Sequence, residues 1–166
     1  MHAQKTQASE SILQALDTAA YNEDIAMKFY KNLAAFCRLN YRDDLADFFI
    51  DQSNREKGHF NSLMKFKRDN YGLENFDKSK VIVKWLTPET GIGSGGLSFD
   101  ESIEEVMKKV EWAEHETELF YRRQAEKYPD ISEMFCQLAE DEANQHHLAL
   151  EAMERLSKSK KEKKDS

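Results

Sequence analysis

The residues best suited to chemistry are glutamates on long helical segments, one of them followed by a histidine three positions later. Glu56 and His59 share a helical face, because residues three apart are neighbours on a helix surface. Glu23, Glu114 and Glu142 occupy comparable positions on three other segments. Carboxylate oxygens and imidazole nitrogens together suit iron or manganese better than a structural zinc. The pattern therefore indicates a metal site with ligands from four helices.

Each glutamate lies near the middle of a stripe that is apolar at its ends and has alternating spacings of four and three residues. This spacing is typical of the inward face of a helix in a bundle. The four inward stripes are Leu16, Ala20, Glu23, Met27, Tyr30, Ala34 and Cys37; Leu45, Phe49, Gln52, Glu56, His59, Leu63 and Phe66; Ile103, Met107, Val110, Glu114, Thr117 and Tyr121; and Ile131, Phe135, Leu138, Glu142, Gln145, Ala149 and Ala152. Burying four carboxylates together is prohibitive unless positive charge offsets their repulsion. Two divalent cations supply that charge, and we predict a two-metal centre.

The nitrogen ligand of the fourth helix is the ambiguous one. The residue three positions after Glu142 is Gln145, and a histidine, His146, comes only at the fourth position. Both positions flank the inward stripe about equally. We predict that His146 is the ligand, with Gln145 as a weak ligand, or a site short of one nitrogen, as the alternatives.

The chain contains an internal repeat of the pattern Glu-x5-Phe-Tyr. It begins at Glu23 and ends at Tyr30 in the first copy, and it runs from Glu114 to Tyr121 in the second. The repeat predicts a duplicated helical hairpin. Each tyrosine lies about 10 Å along the axis from the glutamate of its own helix. We therefore predict that Tyr30 and Tyr121 orient a ligand carboxylate on a neighbouring helix, or else serve only in core packing.

The elements that must position these residues are four helices, because only six glycines and two prolines interrupt the chain. We expect helices over about 9–39, 45–70, 98–127 and 130–156, with Ser98 and Glu101 forming a capping box. The connections are short, long and short, and the long one spans 71–97. One long crossover between two helical hairpins predicts the ferritin-like four-helix bundle. The predicted domain is 1–156, followed by a charged, disordered tail at 157–166.

The composition indicates which kinds of partner and which cellular compartment to expect. The net charge of −7 argues against broad nucleic-acid binding. No apolar run is long enough to cross a membrane, so no membrane association is expected. The two cysteines, Cys37 and Cys136, lack the spacing of a disulfide framework or a cysteine metal site. We therefore expect a reducing cytoplasm.

Over residues 9–156 the chain resembles the ferritin-like di-iron carboxylate family, and within it the rubrerythrin branch. The residues that carry the resemblance are Glu23 with Tyr30, Glu56 with His59, Glu114 with Tyr121, and Glu142 near His146. The resemblance implies two iron ions, with manganese or zinc as possible substitutes. It also implies that Glu56 and Glu142 bridge the metals, that Glu23 and Glu114 are terminal ligands, and that the protein is a homodimer that reduces peroxide or oxygen.

Two further features depart from the rubrerythrin pattern. The four-cysteine rubredoxin domain usual in that branch is absent from the sequence, so an external electron-donor protein is expected. Thr117 stands where rubrerythrins have an additional glutamate, which argues against their redox-dependent iron movement. Three alternatives to peroxide reduction follow: ferroxidase or iron-handling activity, oxygenation of an organic substrate, and a non-enzymatic helical module, with or without metal. The 71–97 connection is a candidate lid or partner surface, or a plain crossover.

Overall fold

The computed structural model describes residues 9–86 and 98–164, and this part of the chain is all-α with no strand. Its helices are α1 (Glu10–Leu39), α2 (Asp43–Tyr71), a short 3₁₀ helix (Lys78–Lys80), α3 (Phe99–Lys127) and α4 (Pro129–Lys164). The four long helices confirm the number and order expected from the sequence. The chain divides into two compact units, residues 1–90 and 91–166, and each contains one helical hairpin. The glycine-rich stretch 91–96 lies outside the described residues.

The helix ends follow ordinary capping chemistry. The Ser9 hydroxyl accepts a hydrogen bond from the Ile12 N–H at 3.2 Å, and the Ser98 hydroxyl accepts one from the Glu101 N–H at 3.2 Å. The second bond confirms the serine half of the predicted capping box. Gly72 ends α2 with a φ of 70°, a left-handed conformation that glycine adopts without steric cost.

Three helix boundaries differ from the sequence expectation. Helix α2 begins at Asp43 and not at about residue 45, with Arg42 at the cap position. Asp43 and Asp44 lie in its first turn, where their negative charges interact favourably with the helix dipole. Pro129 is the first residue of α4, a position that needs no N–H donor. Finally, α4 continues to Lys164 and not to about Leu156, since Lys, Glu and Ser without Gly or Pro can extend a helix.

The predicted inward stripes form the interior face of each hairpin. In the first unit α1 packs along α2, and in the second α3 packs along α4. Every stripe residue is buried except Met27, Phe66 and Thr117, which are half-buried. The helical register assumed from the sequence is therefore confirmed.

The internal repeat has a matching packing arrangement in the two hairpins. Tyr30 stacks on Phe49 of α2 with ring centroids 6.2 Å apart, and Tyr121 meets Phe135 of α4 edge-on at 5.0 Å. Each phenylalanine lies seven positions before the glutamate of its own helix, Glu56 or Glu142. Tyrosine therefore contacts the same position of the partner helix in both copies, which supports a duplicated hairpin.

Residues 82–85 lie alongside α1 because one asparagine pairs with their backbone. The Asn22 amide donates to the Val83 carbonyl at 2.8 Å and accepts from the Trp85 N–H at 3.1 Å. The Ile82 N–H donates to the Thr18 hydroxyl at 3.1 Å. These bonds satisfy backbone groups that form no regular secondary structure. The apolar sequence at 81–86 thus contains a segment attached to α1.

A buried ion pair joins the far end of α2 to α1. Lys67 Nζ lies 2.8 Å from Asp17 Oδ1 and also donates to the Asn75 carbonyl at 2.7 Å. Both side chains are buried. Burial raises the pKa of Asp17, and the hydrogen bond from Lys67 offsets part of that effect. Lys67 therefore offsets the negative charge of Asp17, and its bond to the Asn75 carbonyl attaches the segment that follows α2.

We predict that Lys67→Met lowers the free energy of unfolding by about 3–5 kcal/mol, because it leaves the Asp17 carboxylate buried without a cation. The double variant Asp17→Leu with Lys67→Met should recover most of the loss. The matched control is Lys65→Met, which breaks only an exposed pair with Asp69 and should cost less than about 1 kcal/mol. Urea denaturation measures all three. Equal losses for the Lys67 and Lys65 variants would refute the assignment.

Candidate metal centre

Three of the predicted ligands converge inside the first hairpin. Glu23 comes from the middle of α1, and Glu56 and His59 come from successive turns of α2. Their exposed fractions are 1%, 2% and 8%. The intact Glu-x-x-His spacing puts Glu56 and His59 on the face that meets α1, as the sequence predicted.

The donor atoms of these three residues are close enough to share a cation. His59 Nδ1 lies 3.4 Å from Glu23 Oε2 and 3.8 Å from Glu56 Oε2. One donor atom from each residue lies within 4.8 Å of the others. Ligand bonds to a divalent transition metal are about 2.0–2.2 Å long, which separates two ligand atoms on one metal by roughly 3–4 Å. The spacing therefore fits a metal.

The charges of the cluster also favour a bound metal ion. Burial lowers the pKa of His59, but the carboxylates of Glu23 and Glu56 outweigh it and raise the pKa to about 11. In the metal-free protein the imidazolium is thus the cation that offsets two buried carboxylates. Two carboxylates and one imidazole are oxygen and nitrogen donors of the kind that iron and manganese accept. The donor set fits the predicted metal on chemical grounds as well.

A hydrogen bond between the helices maintains the spacing beside the cluster. The Ser53 hydroxyl donates to the Met27 carbonyl at 2.9 Å. Met27 lies one turn after Glu23, and Ser53 lies almost one turn before Glu56. This contact ties α1 to α2 next to the ligand residues. The sequence gives no signal for Ser53, because serine at a helix interface has no distinctive spacing.

In the second hairpin, the predicted ligands Glu114 and Glu142 are buried on α3 and α4. Gln145 is also buried, with an exposed fraction of 1%, whereas the side chain of His146 is 23% exposed. Within this hairpin the structure groups no three metal-ligand side chains among the described residues. Gln145 is therefore the residue in register with Glu142, and the choice of His146 as the second nitrogen ligand stays a prediction.

Thr117 takes no ligand role in the described structure. Its hydroxyl donates to the Ala113 carbonyl of its own helix at 2.7 Å. A threonine often satisfies its hydroxyl in this way inside a helix. Thr117, at the position where rubrerythrins have the additional glutamate, therefore directs its hydroxyl at the helix backbone.

Tyr30 and Tyr121 are both completely buried. Tyr30 packs at the level of Phe49, which is about 10 Å along α2 from Glu56. It therefore contacts α2 two turns away from the nearest ligand of that helix. Orientation of a ligand by either tyrosine stays a prediction.

Comparison with known proteins assigns the family. The family model described as Rubrerythrin matches residues 14–154. The chain belongs to the rubrerythrin family. This match covers most of the chain, and it agrees with the all-α structure and with a ferritin-like four-helix fold. No curated protein and no solved structure gave a significant match. Among the described residues, no helix is long and apolar enough to cross a bilayer.

We predict that a divalent metal stabilises this rubrerythrin-family protein. Mn²⁺ at about a hundred times its dissociation constant should raise the melting temperature by about 5–10 °C, because only the folded state holds the ligands together. Glu56→Gln should lose most of this shift. Asp51→Asn, an exposed carboxylate on the same helix, is the matched control and should keep it. A full shift in Glu56→Gln, measured by differential scanning calorimetry, would exclude the cluster as the metal site.

Proposed function

We propose that this protein is a non-haem di-iron oxidoreductase of rubrerythrin type that reduces peroxide, or oxygen, at a carboxylate-bridged site. The observation that carries the proposal is the buried cluster of Glu23, Glu56 and His59, whose donor atoms lie within 4.8 Å of one another. Membership of the rubrerythrin family supports it. Buried carboxylates without metal are costly, so the arrangement is best explained by a cation that the protein is built to hold.

The proposed centre holds two metal ions. Its proposed ligands are Glu23, Glu56, His59, Glu114, Glu142 and His146, with Gln145 as the alternative to His146. Glu56 and Glu142 are the proposed bridging carboxylates, and Glu23 and Glu114 the terminal ones. Iron is the proposed metal, and manganese or zinc could occupy the same donors.

When bound, a pair of ferrous ions supplies two electrons, which together with two protons convert hydrogen peroxide into two molecules of water. The chain's own residues hold the metals and restrict water. Phe49 and Tyr30 form a buried aromatic pair on the stripes that carry the ligands. We propose that Tyr30 and Tyr121 donate a hydrogen bond to a ligand carboxylate and so set its orientation.

We extend the proposal to the partners of the protein and to its cellular compartment. The centre must be reduced again after each turnover, so an external electron-donor protein is proposed. A homodimer is proposed from the family resemblance. Cys37 and Cys136 are free thiols, and burial raises the pKa of Cys37 to about 12, which keeps it in the unreactive thiol form. We propose a reducing cytoplasm as the location.

A second candidate, ferroxidase or iron handling, is favoured by Thr117. The family pattern has an additional carboxylate at that position, and here the hydroxyl is bonded to its own helix backbone. Without that carboxylate one metal has fewer strong ligands, and iron oxidised at the site would be released more readily. In this case oxygen is the oxidant and iron is the substrate.

We predict that peroxide oxidises the anaerobically reduced, iron-loaded protein at least about tenfold faster than oxygen does at equal concentration. Stopped-flow absorption in the near ultraviolet follows formation of the ferric centre. Glu56→Gln should abolish the fast phase, because it removes a proposed bridging carboxylate. Asp51→Asn should leave the fast phase unchanged.

The opposite order of rates would replace the first candidate with the second. Release of ferric iron after one oxidation, detected by gel filtration, would support iron handling. Absence of any absorbance change in the iron-treated wild-type protein would contradict both.

A further inference from the structure

A group of potential metal ligands lies on the surface of the second hairpin, and only one of its members, His146, belongs to the proposed di-iron ligand set. Glu111 and His115 are one turn apart on α3, and His146 faces them from α4. His146 Nε2 lies 3.5 Å from Glu111 Oε1. The rings of His115 and His146 have centroids 5.6 Å apart, with a tilt of 39°.

The Glu111–His146 distance and the spacing of the two rings are compatible with a shared cation, although the donor atoms of all three residues do not lie within 4.8 Å of one another as they stand. Two donor atoms on a tetrahedral metal with bonds of about 2.1 Å lie about 3.4 Å apart, and two imidazoles on such a metal have centroids about 5 Å apart. The carboxylate–imidazole distance already satisfies the first condition. His115 is exposed, so its side chain has room to rotate and direct a nitrogen toward the other two residues.

The environment of His146 is a second observation. Its Nε2 atom is buried and has no hydrogen-bond partner within the described part of the chain, although it faces the Glu111 carboxylate at 3.5 Å. A buried imidazole nitrogen without a hydrogen bond is unfavourable, and a metal ion between it and the carboxylate would satisfy both groups. Gln145, and not His146, occupies the fully buried position beside Glu142.

We propose that Glu111, His115 and His146 form a separate divalent-metal site at the protein surface. Two imidazoles and one carboxylate leave further coordination positions open to water, a donor set that suits Zn²⁺ and Fe²⁺. All three side chains reach solvent to some extent, so the ion can enter directly from solution. The site is proposed independently of the peroxide chemistry, although it assigns His146 a role different from the one that the sequence predicted.

The test is zinc binding by the metal-free, full-length protein. Titration calorimetry should resolve a class of sites that His115→Asn weakens at least about tenfold, because one of three protein ligands is lost. Glu111→Gln should weaken the same class. His147→Asn is the matched control, since that exposed histidine pairs with Glu151 and should leave the isotherm unchanged. Nuclear magnetic resonance of the histidine ring nitrogens should show His115 and His146 shifting together.

Two results would overturn the proposal. One is a His115→Asn isotherm indistinguishable from that of the wild type. The other is loss of a zinc class in His146→Asn that neither His115→Asn nor Glu111→Gln reproduces, which would return His146 to the buried centre. Glu56→Gln separates this site from the proposed function. It should retain the surface class whether or not the buried cluster binds metal.

Discussion

The structure depends on one electrostatic constraint: carboxylates buried close together need a positive charge between them. Glu23 and Glu56 are almost completely removed from solvent, and in the metal-free protein protonated His59 lies within 4 Å of both. That single imidazolium offsets only part of their charge. A divalent metal offsets more and uses the same lone pairs. The cluster is therefore costly as an element of stability and well suited to holding a metal ion.

The rest of the first hairpin serves to hold that cluster in place. The Ser53–Met27 hydrogen bond ties α1 to α2 next to the ligands. Farther along, the buried Asp17–Lys67 pair joins α1 to the end of α2. These two contacts fix the position of α1 relative to α2, one next to the ligands and the other near the end of α2. A fixed helix pair means that little conformational entropy is lost when a metal binds, so the ligands are preorganised.

Much of this could be predicted from sequence because the relevant signals are periodic. The stripe containing Glu56 and His59 follows from helical spacing, and almost all stripe residues are buried as expected. The sequence prediction preferred His146 to Gln145, but neighbouring positions on a helix differ by only 100° and both flank the stripe, so helical spacing alone does not decide between them. The Asp17–Lys67 pair was also missed, since it joins residues far apart in the chain and no periodic pattern links them. The end of α4 was placed too early because a charged tail was equated with disorder.

The most direct test of the account is a crystal structure of the iron-loaded protein with anomalous scattering recorded at the iron edge. We predict two iron peaks about 3.5–4 Å apart. One of them should contact both Glu56 and His59. Well-ordered density for those side chains with no iron peak within bonding distance of either would show that the buried cluster is not a metal centre.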